Sequence, residues 1–359
     1  MASVNNDIRL PGLLYACSTY QSHARAGSDY RRVLSRWYPE VRVESPNVTR
    51  FGQNGSGNSE NRNVVILQVE PTDYGELFER YEILKHSYVI AMCVWEATVI
   101  PEAFRSSLAH VQEVWTCSKY CMDCFATEHD NVIYMPHIVE RDRAVTEADR
   151  REMRAIVDYD EECVYYLSIA NRRDRRKNSQ LLIDRFQRVA GSIPRARLIV
   201  KSLDRENGII GRDGPITYVE KQLSDGQVNS LYEIADVYVS AHHSEGWGLT
   251  MSDALLFNKP VIATGYSGNL EYMDRESGLL LDFEEEYIHP PDRFYLFDET
   301  MKWAYPAPSD LDDKLIWCYR NAGSERMRAL VRNGAANATR FTSEAIEKRL
   351  ISKLEALCE

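Results

Sequence analysis

Two acidic residues, Glu245 and Asp253, stand eight positions apart in the run VSAHHSEGWGLTMSDALLFNKPVIATGYSGNLEYM, residues 239–273. A small-residue turn, Gly246-Trp247-Gly248, separates Glu245 from an apolar helical start at Leu249. After the helix come Asn258-Lys259-Pro260, a short strand from Val261 to Ala263, and a second glycine turn from Gly265 to Gly268 that leads to Asn269 and Leu270. Glycine lets backbone approach a ligand closely. A helix that opens at such a turn offers unsatisfied N–H groups to an anion. Upstream, cations gather in Asn171-Arg172-Arg173-Asp174-Arg175-Arg176-Lys177-Asn178, after one strand and before one helix. Charge runs usually face water, so a solvated turn or a nucleic-acid patch is the plain alternative. The strand–turn–helix placement favours phosphate instead, because helix N-termini attract anions. Cations and N–H dipoles placed there can stabilise a bound anion.

The stretch resembles the nucleotide-sugar signature of the retaining glycosyltransferases of family four (glycosyltransferase group 1, E-x7-E type), which have the GT-B fold. The matching residues are Glu245-Gly246-Trp247-Gly248-Leu249, Asp253-Ala254, Asn258 to Thr264 and Ser267-Gly268-Asn269-Leu270-Glu271. Two departures stand out. Asp253 replaces a glutamate, giving E-x7-D, and Asn258 replaces a glycine, which implies a left-handed residue after the helix. Trp95-Glu96, Pro101, Glu113-Val114-Trp115 and Ser118 resemble a subgroup of the same family.

The resemblance implies a metal-independent, retaining hexosyltransferase that uses a nucleotide-diphosphate sugar as co-substrate and no cofactor. Glu245 would contact the donor sugar near the developing positive charge. Lys177 would hold the diphosphate together with an arginine, and Arg172 and Arg173 both fit that role. Asp253 would accept from the ribose hydroxyls, since a carboxylate can accept from two vicinal hydroxyls. Gly246, Trp247, Gly248, Leu249, Gly268, Asn269, Leu270 and His243 would line the donor site, with His242 beside them. On the acceptor side, Trp95 and Glu96 stand where many members carry a histidine. His23, Arg25 and Gly27 belong to the loop region after the first strand. With no evident nucleophile, a front-face displacement is implied. The acceptor is left open among a glycan, a lipid-linked glycan, a small molecule and a protein, and polysaccharide assembly is the implied setting. Alternatives are another GT-B activity (a sugar phosphorylase or nucleotide-sugar epimerase) and a non-catalytic GT-B binding or regulatory subunit.

The elements needed to position these residues alternate between strand and helix in both halves, which implies parallel sheets and two Rossmann-like domains. The expected division is 1–150 on the acceptor side, 151–338 for the nucleotide sugar, and a tail helix at 339–359 that crosses back to the first domain by resemblance. Leu13 to Cys17 reads as a strand, Ser18 to Ala26 as a polar loop, and Gly27 as the opening of a helix capped by Ser28 or Asp29. Residues 52–63 read as a mobile loop.

At 359 residues the chain suits two domains. A net charge of −11 argues against a nucleic-acid partner. No run is apolar enough to span a bilayer, and the start lacks a signal-peptide layout. A cytoplasmic protein with reduced cysteines is expected; peripheral membrane contact and a homodimer are both compatible with it. Cys117, Cys121 and Cys124 have the C-x3-C-x2-C spacing of a cluster-binding triplet, yet thiols at that spacing also line one face of a helix. The spacing Asp310-x-Asp312 matches a metal-binding pair, but helix-capping acids explain it better.

Overall fold

The structure, a computed structural model, describes residues 13–18, 21–37, 42–44, 63–202 and 209–357, with the backbone alone of 21–23, 42–44 and 209. These residues divide into two compact units. The first contains β1 (Leu13–Cys17), α1 (Gln21–Trp37), β2 (Arg42–Glu44), β3 (Val64–Gln68), α2 (Tyr74–Arg80), α3 (Glu82–Lys85), β4 (Tyr88–Met92), α4 (Glu102–Leu108), β5 (Glu113–Thr116), α5 (Lys119–Phe125) and β6 (Val132–Tyr134). The second contains α6 (Glu147–Val157), β7 (Val164–Ile169), α7 (Ser179–Val189), β8 (Ala196–Ser202), β9 (Ile209–Asp213), β10 (Ile216–Glu220), α8 (Asp225–Ile234), β11 (Val237–Ser240), α9 (Leu249–Leu256), β12 (Val261–Thr264), β13 (Leu279–Leu281), β14 (Phe283–Tyr287), β15 (Lys302–Pro306), α10 (Pro308–Arg320) and α11 (Glu325–Ala338). The final helix, α12 (Ser343–Glu355), belongs to the first unit, where it packs on α1.

The strands of the first sheet run parallel in the order β2-β1-β3-β4-β5-β6. The second sheet has the order β13-β12-β11-β7-β8-β10-β9, parallel except for the edge strand β9. Its central strands are buried on both faces, as continuous apolar runs such as VIAT require. On one face Leu182, Ile183 and Phe186 of α7 meet Leu311 and Leu315 of α10, and the Tyr166 hydroxyl donates to the Leu315 carbonyl at 2.7 Å. Ser224 caps α8 with a full capping box, closed by Gln227. Asn258 has φ +54°, the left-handed stop expected after α9.

Three features differ from the sequence reading. The helix expected from Gly27 begins at Gln21, so Ser28 and Asp29 are interior residues and not caps. Gly27 is there for space: a Cβ would lie 2.2 Å from the Cys17 Sγ, so its absence lets α1 sit close on β1. The second unit includes Glu96–Thr98, bonded to Lys302 and Trp303, and takes up the main chain at Val139, before the expected boundary at 151, because Arg141 and Asp142 are bonded to Asn229 of α8. The antiparallel hairpin β14–β15 and the edge strand β9 add to the alternating pattern, and their short, charge-interrupted sequences give little period to read. The loop read at 52–63 lies, up to residue 62, outside the described residues.

Cys117, Cys121 and Cys124 are all buried in the core of the first unit. The Cys121 thiol donates to the Trp95 carbonyl at 3.3 Å, and burial pushes the Cys124 thiol well above its ordinary range. Asp310 and Asp312 lie inside α10, where Asp310 pairs with Lys314 and Asp312 with Arg185 and Arg188.

Candidate active site

The second sheet reverses direction between β7 and β11. The chain leaves β7 toward β8 on one side, then returns to add β11 and β12 on the other. The loops after β7 and β11 therefore diverge and leave a crevice at the strand ends, where ligands of such sheets bind. The basic turn follows β7, and the Glu245 turn follows β11.

Three hydrogen bonds stitch the two turns together. The Asn178 side-chain amide donates to the Ala241 carbonyl at 3.0 Å, His243 N–H to the Arg176 carbonyl at 2.8 Å, and the Arg176 guanidinium to the Ser244 carbonyl at 2.8 Å. Asn178 takes a left-handed conformation, φ +48°, which turns the chain from the single 3-10 turn Arg175–Lys177 into α7. Asp174 caps that turn by accepting from Arg176 N–H.

The side chains converge on Glu245, which is 6% exposed. Lys177 Nζ lies 2.5 Å from its Oε1, and Arg176 lies 3.1 Å from its Oε2. Burial alone would push the Glu245 carboxyl up. The charges of Lys177 and Arg176 overcome this and hold it at about 2, so it is ionised at neutral pH. Arg176 also pairs with Asp174 at 3.0 Å and with Glu96 at 3.5 Å. Burial pushes the Glu96 carboxyl up against the lowering effect of Arg176 and Lys177.

The glycines of the second turn act through contact. The Gly268 N–H donates to the Glu245 carbonyl at 2.8 Å. A Cβ on Gly268 would lie 2.0 Å from the Gly246 carbonyl oxygen, so only glycine lets the two turns touch. The Gly268 N–H is thus spent on Glu245 and is not directed at a donor. Gly248 has φ +86° and precedes α9; its carbonyl accepts from the Met251 and Ser252 N–H groups, so the N–H groups of Leu249 and Thr250 are the ones a helix start leaves without an intrahelical acceptor. Trp247 is buried beside Tyr272, whose hydroxyl lies 2.8 Å from the Trp247 and Gly248 carbonyls. Leu249 begins α9, and Leu270 is 46% exposed.

Other expected residues sit in different surroundings. Arg172 pairs with Glu220 at the end of β10 and lies over the Tyr218 ring at 4.8 Å, while Arg173 is exposed. Asp253 is buried, with Arg141 3.2 Å from its carboxylate. His243 is packed against Trp303 and Tyr305 and donates from Nδ1 to the Ala304 carbonyl at 2.7 Å. His242 bridges Ser240 and Asn269, and burial lowers its imidazole to about 4, so it is neutral at pH 7. The Asn269 side-chain amide donates to the Thr264 carbonyl at 3.0 Å. Trp95 packs edge-on against Phe104 in the first unit and donates to the Val99 carbonyl. Gly27 is buried in α1, and the His23 side chain lies outside the described residues.

The sequence reading missed Arg176 and Arg141. Nothing in a run of arginines tells which one turns inward. The one usable signal is Asp174 two positions earlier, a cap that fixes the turn around Arg176.

Two Rossmann-like α/β units with such a crevice make up the GT-B fold, and solved structures of that class align with this chain. They include pneumococcal O-GlcNAc transferase GtfA in complex with UDP and GlcNAc (14% identity, 82% of this chain and 56% of that one, TM-score 0.55). They also include Anabaena HepE in complex with UDP-glucose (12% identity, 96% and 100%, TM-score 0.68). A third is the sucrose-phosphate synthase of Thermosynechococcus elongatus (14% identity, 97% and 99%, TM-score 0.65). The chain spans little more than half the length of GtfA. Residues 149–288 match the sequence model of the family described as Glycosyl transferases group 1. No curated protein matches the sequence. Among the described residues, no helix is long and apolar enough to cross a membrane.

Proposed function

We propose that this chain is a retaining, metal-independent glycosyltransferase that moves a hexosyl group from a nucleotide-diphosphate sugar to an acceptor hydroxyl in glycan assembly. One observation carries the reading: Lys177 and Glu245, from two different turns, meet at 2.5 Å at the reversal point of the sheet. Lys177 has two N–H donors beyond the one given to Glu245, enough to take a leaving diphosphate. The first turn of α9 adds N–H dipoles of the same sign. Glu245 stays anionic, suited to a donor sugar that gains positive charge as its anomeric C–O bond breaks. In a front-face displacement the acceptor oxygen bonds to the same face of that carbon, and the acceptor proton passes to the departing phosphate oxygen.

UDP is the first nucleotide to try, since the GtfA and HepE complexes contain UDP or UDP-glucose. The test is a melting-temperature measurement with UDP and with uridine, followed by NMR of the products of UDP-glucose turnover in EDTA. UDP should raise the melting temperature far more than uridine, and the first-formed sugar product should keep the donor's anomeric configuration. Inverted product would end the retention reading, and loss of turnover in EDTA the metal-independent one.

A further inference from the structure

We infer that Arg176 is the positioning residue that joins Glu245 and Glu96 into one rigid unit; this rests on the donor reading of Glu245 above. Arg176 is 7% exposed and surrounded by acceptors: Ser244 carbonyl at 2.8 Å, Glu245 at 3.1 Å, Asp174 at 3.0 Å and Glu96 at 3.5 Å. A guanidinium is planar and presents its five donors in fixed directions, so it can set the angles between several carboxylates at once. The neighbouring arginines of the turn do no such thing, since Arg173 and Arg175 are exposed and Arg172 is committed to Glu220.

Each carboxylate is held from a second direction. Glu245 keeps its other oxygen on Lys177. Asp174 also accepts from the Arg176 N–H. The Glu96 carbonyl accepts from the Trp303 indole at 2.7 Å, which fixes its backbone on β15. Three carboxylates therefore face two cations, Arg176 and Lys177. Burial, Glu245 and Asp174 all favour a proton on Glu96, and Arg176, more than Lys177, opposes it. The guanidinium thus fixes where Glu96 and Glu245 stand and how readily each takes a proton. Lys177 is left as the cation of this pair that faces phosphate.

The experiment is a carboxyl-carbon NMR titration of glutamate-labelled protein in the wild type, Arg176→Lys and Arg176→Gln. Glu96→Gln and Glu245→Gln supply the assignments. Removing the cation should raise the midpoints of both carboxyls, by about one pH unit or more in Arg176→Gln and by less in Arg176→Lys. This readout needs no substrate, so it stands even where UDP and UDP-glucose fail and the donor reading falls. With UDP-glucose as donor, Arg176→Lys should lower kcat by about 10²-fold while UDP affinity stays within about threefold, as misplacement of reacting groups predicts. Unchanged midpoints would overturn the inference. So would a fall in UDP affinity as large as the fall in kcat, which would make Arg176 a phosphate ligand. If neither variant folds, the residue belongs to the stability of the fold alone and the inference also fails.

Discussion

Each sheet reverses its strand order once, and the two reversal points are filled by different chemistry. In the first unit the reversal lies between β1 and β3. There the Ser18 N–H donates to the Gln68 carbonyl, and Gly27 lets α1 close over Cys17. The described residues around it include the thiols of Cys17 and Cys93 and the phenols of Tyr15 and Tyr74. Burial pushes Cys17 up to about 11, and Cys93, in contact with the Tyr74 hydroxyl, up to about 12, so neither is an anion at neutral pH. In the second unit the reversal lies between β7 and β11 and holds Glu245, Arg176, Lys177 and Asp174. A reversal point supplies a crevice; charge-bearing turns on both of its sides make a site of it.

The comparison breaks most sharply at Lys177. Lys177→Ala should cost about 10²- to 10³-fold in turnover and weaken UDP far more than uridine; equal weakening of both ligands in calorimetry would remove Lys177 from the phosphate site. Next comes Asp253→Asn, which takes from Arg141 its buried carboxylate and leaves it, among the described residues, only the exposed Asp225 carboxylate at 3.6 Å. A loss of about 3 kcal/mol in urea unfolding is expected, along with reduced preference for UDP over its deoxyribose analogue if Asp253 also reads the ribose. Gly268→Ala should cost about 2 kcal/mol, because the added methyl meets the Gly246 carbonyl. A variant as stable as wild type would mean the two turns can part freely.

Acid should weaken the second unit by a graded amount. His242 is held at about 4 when folded and titrates near 6.5 when unfolded, so the unfolded chain binds more protons between those values. Stability should therefore fall as pH drops from 6.5 to 4, by up to about 1.4 kcal/mol per pH unit from this group. The contribution of Glu245 is lost lower still, from its ordinary value of 4.5 down to about 2. Urea midpoints across this range, for wild type and His242→Asn, would check the sign. The smallest effect is expected on the other side of the comparison. Cys121→Ala should cost about 1 kcal/mol and leave UDP binding unchanged. A thiol that proved necessary for UDP binding would blur the contrast between the two units.

Much of this molecule was legible in residue order. Apolar runs such as those of β3 and β12 mark buried parallel strands, and the capping box at Ser224 and Gln227 marks a helix start. The Glu245 turn and the basic turn were both identified as strand-end features, because strand–turn–helix order survives in the sequence. The start of α1 was not legible, since residues 18–26 have loop-like composition and tertiary contact with β1 overrides it. The burial of His243 under Trp303 and Tyr305 was hidden too, as its partners lie some sixty residues downstream on β15.

Local spacing by itself determined the parallel α/β architecture, the glycine turns and the presence of acid and base at strand ends, since periodicity and turn chemistry act between neighbours in the chain. Only the tertiary structure decided that Arg176 and not Arg172 meets Glu245, that Arg141 takes Asp253, and that the Gly268 N–H serves the Glu245 backbone. Those choices are set by directions in space at the crossing of two loops, where no repeat in the sequence records which side chain turns inward.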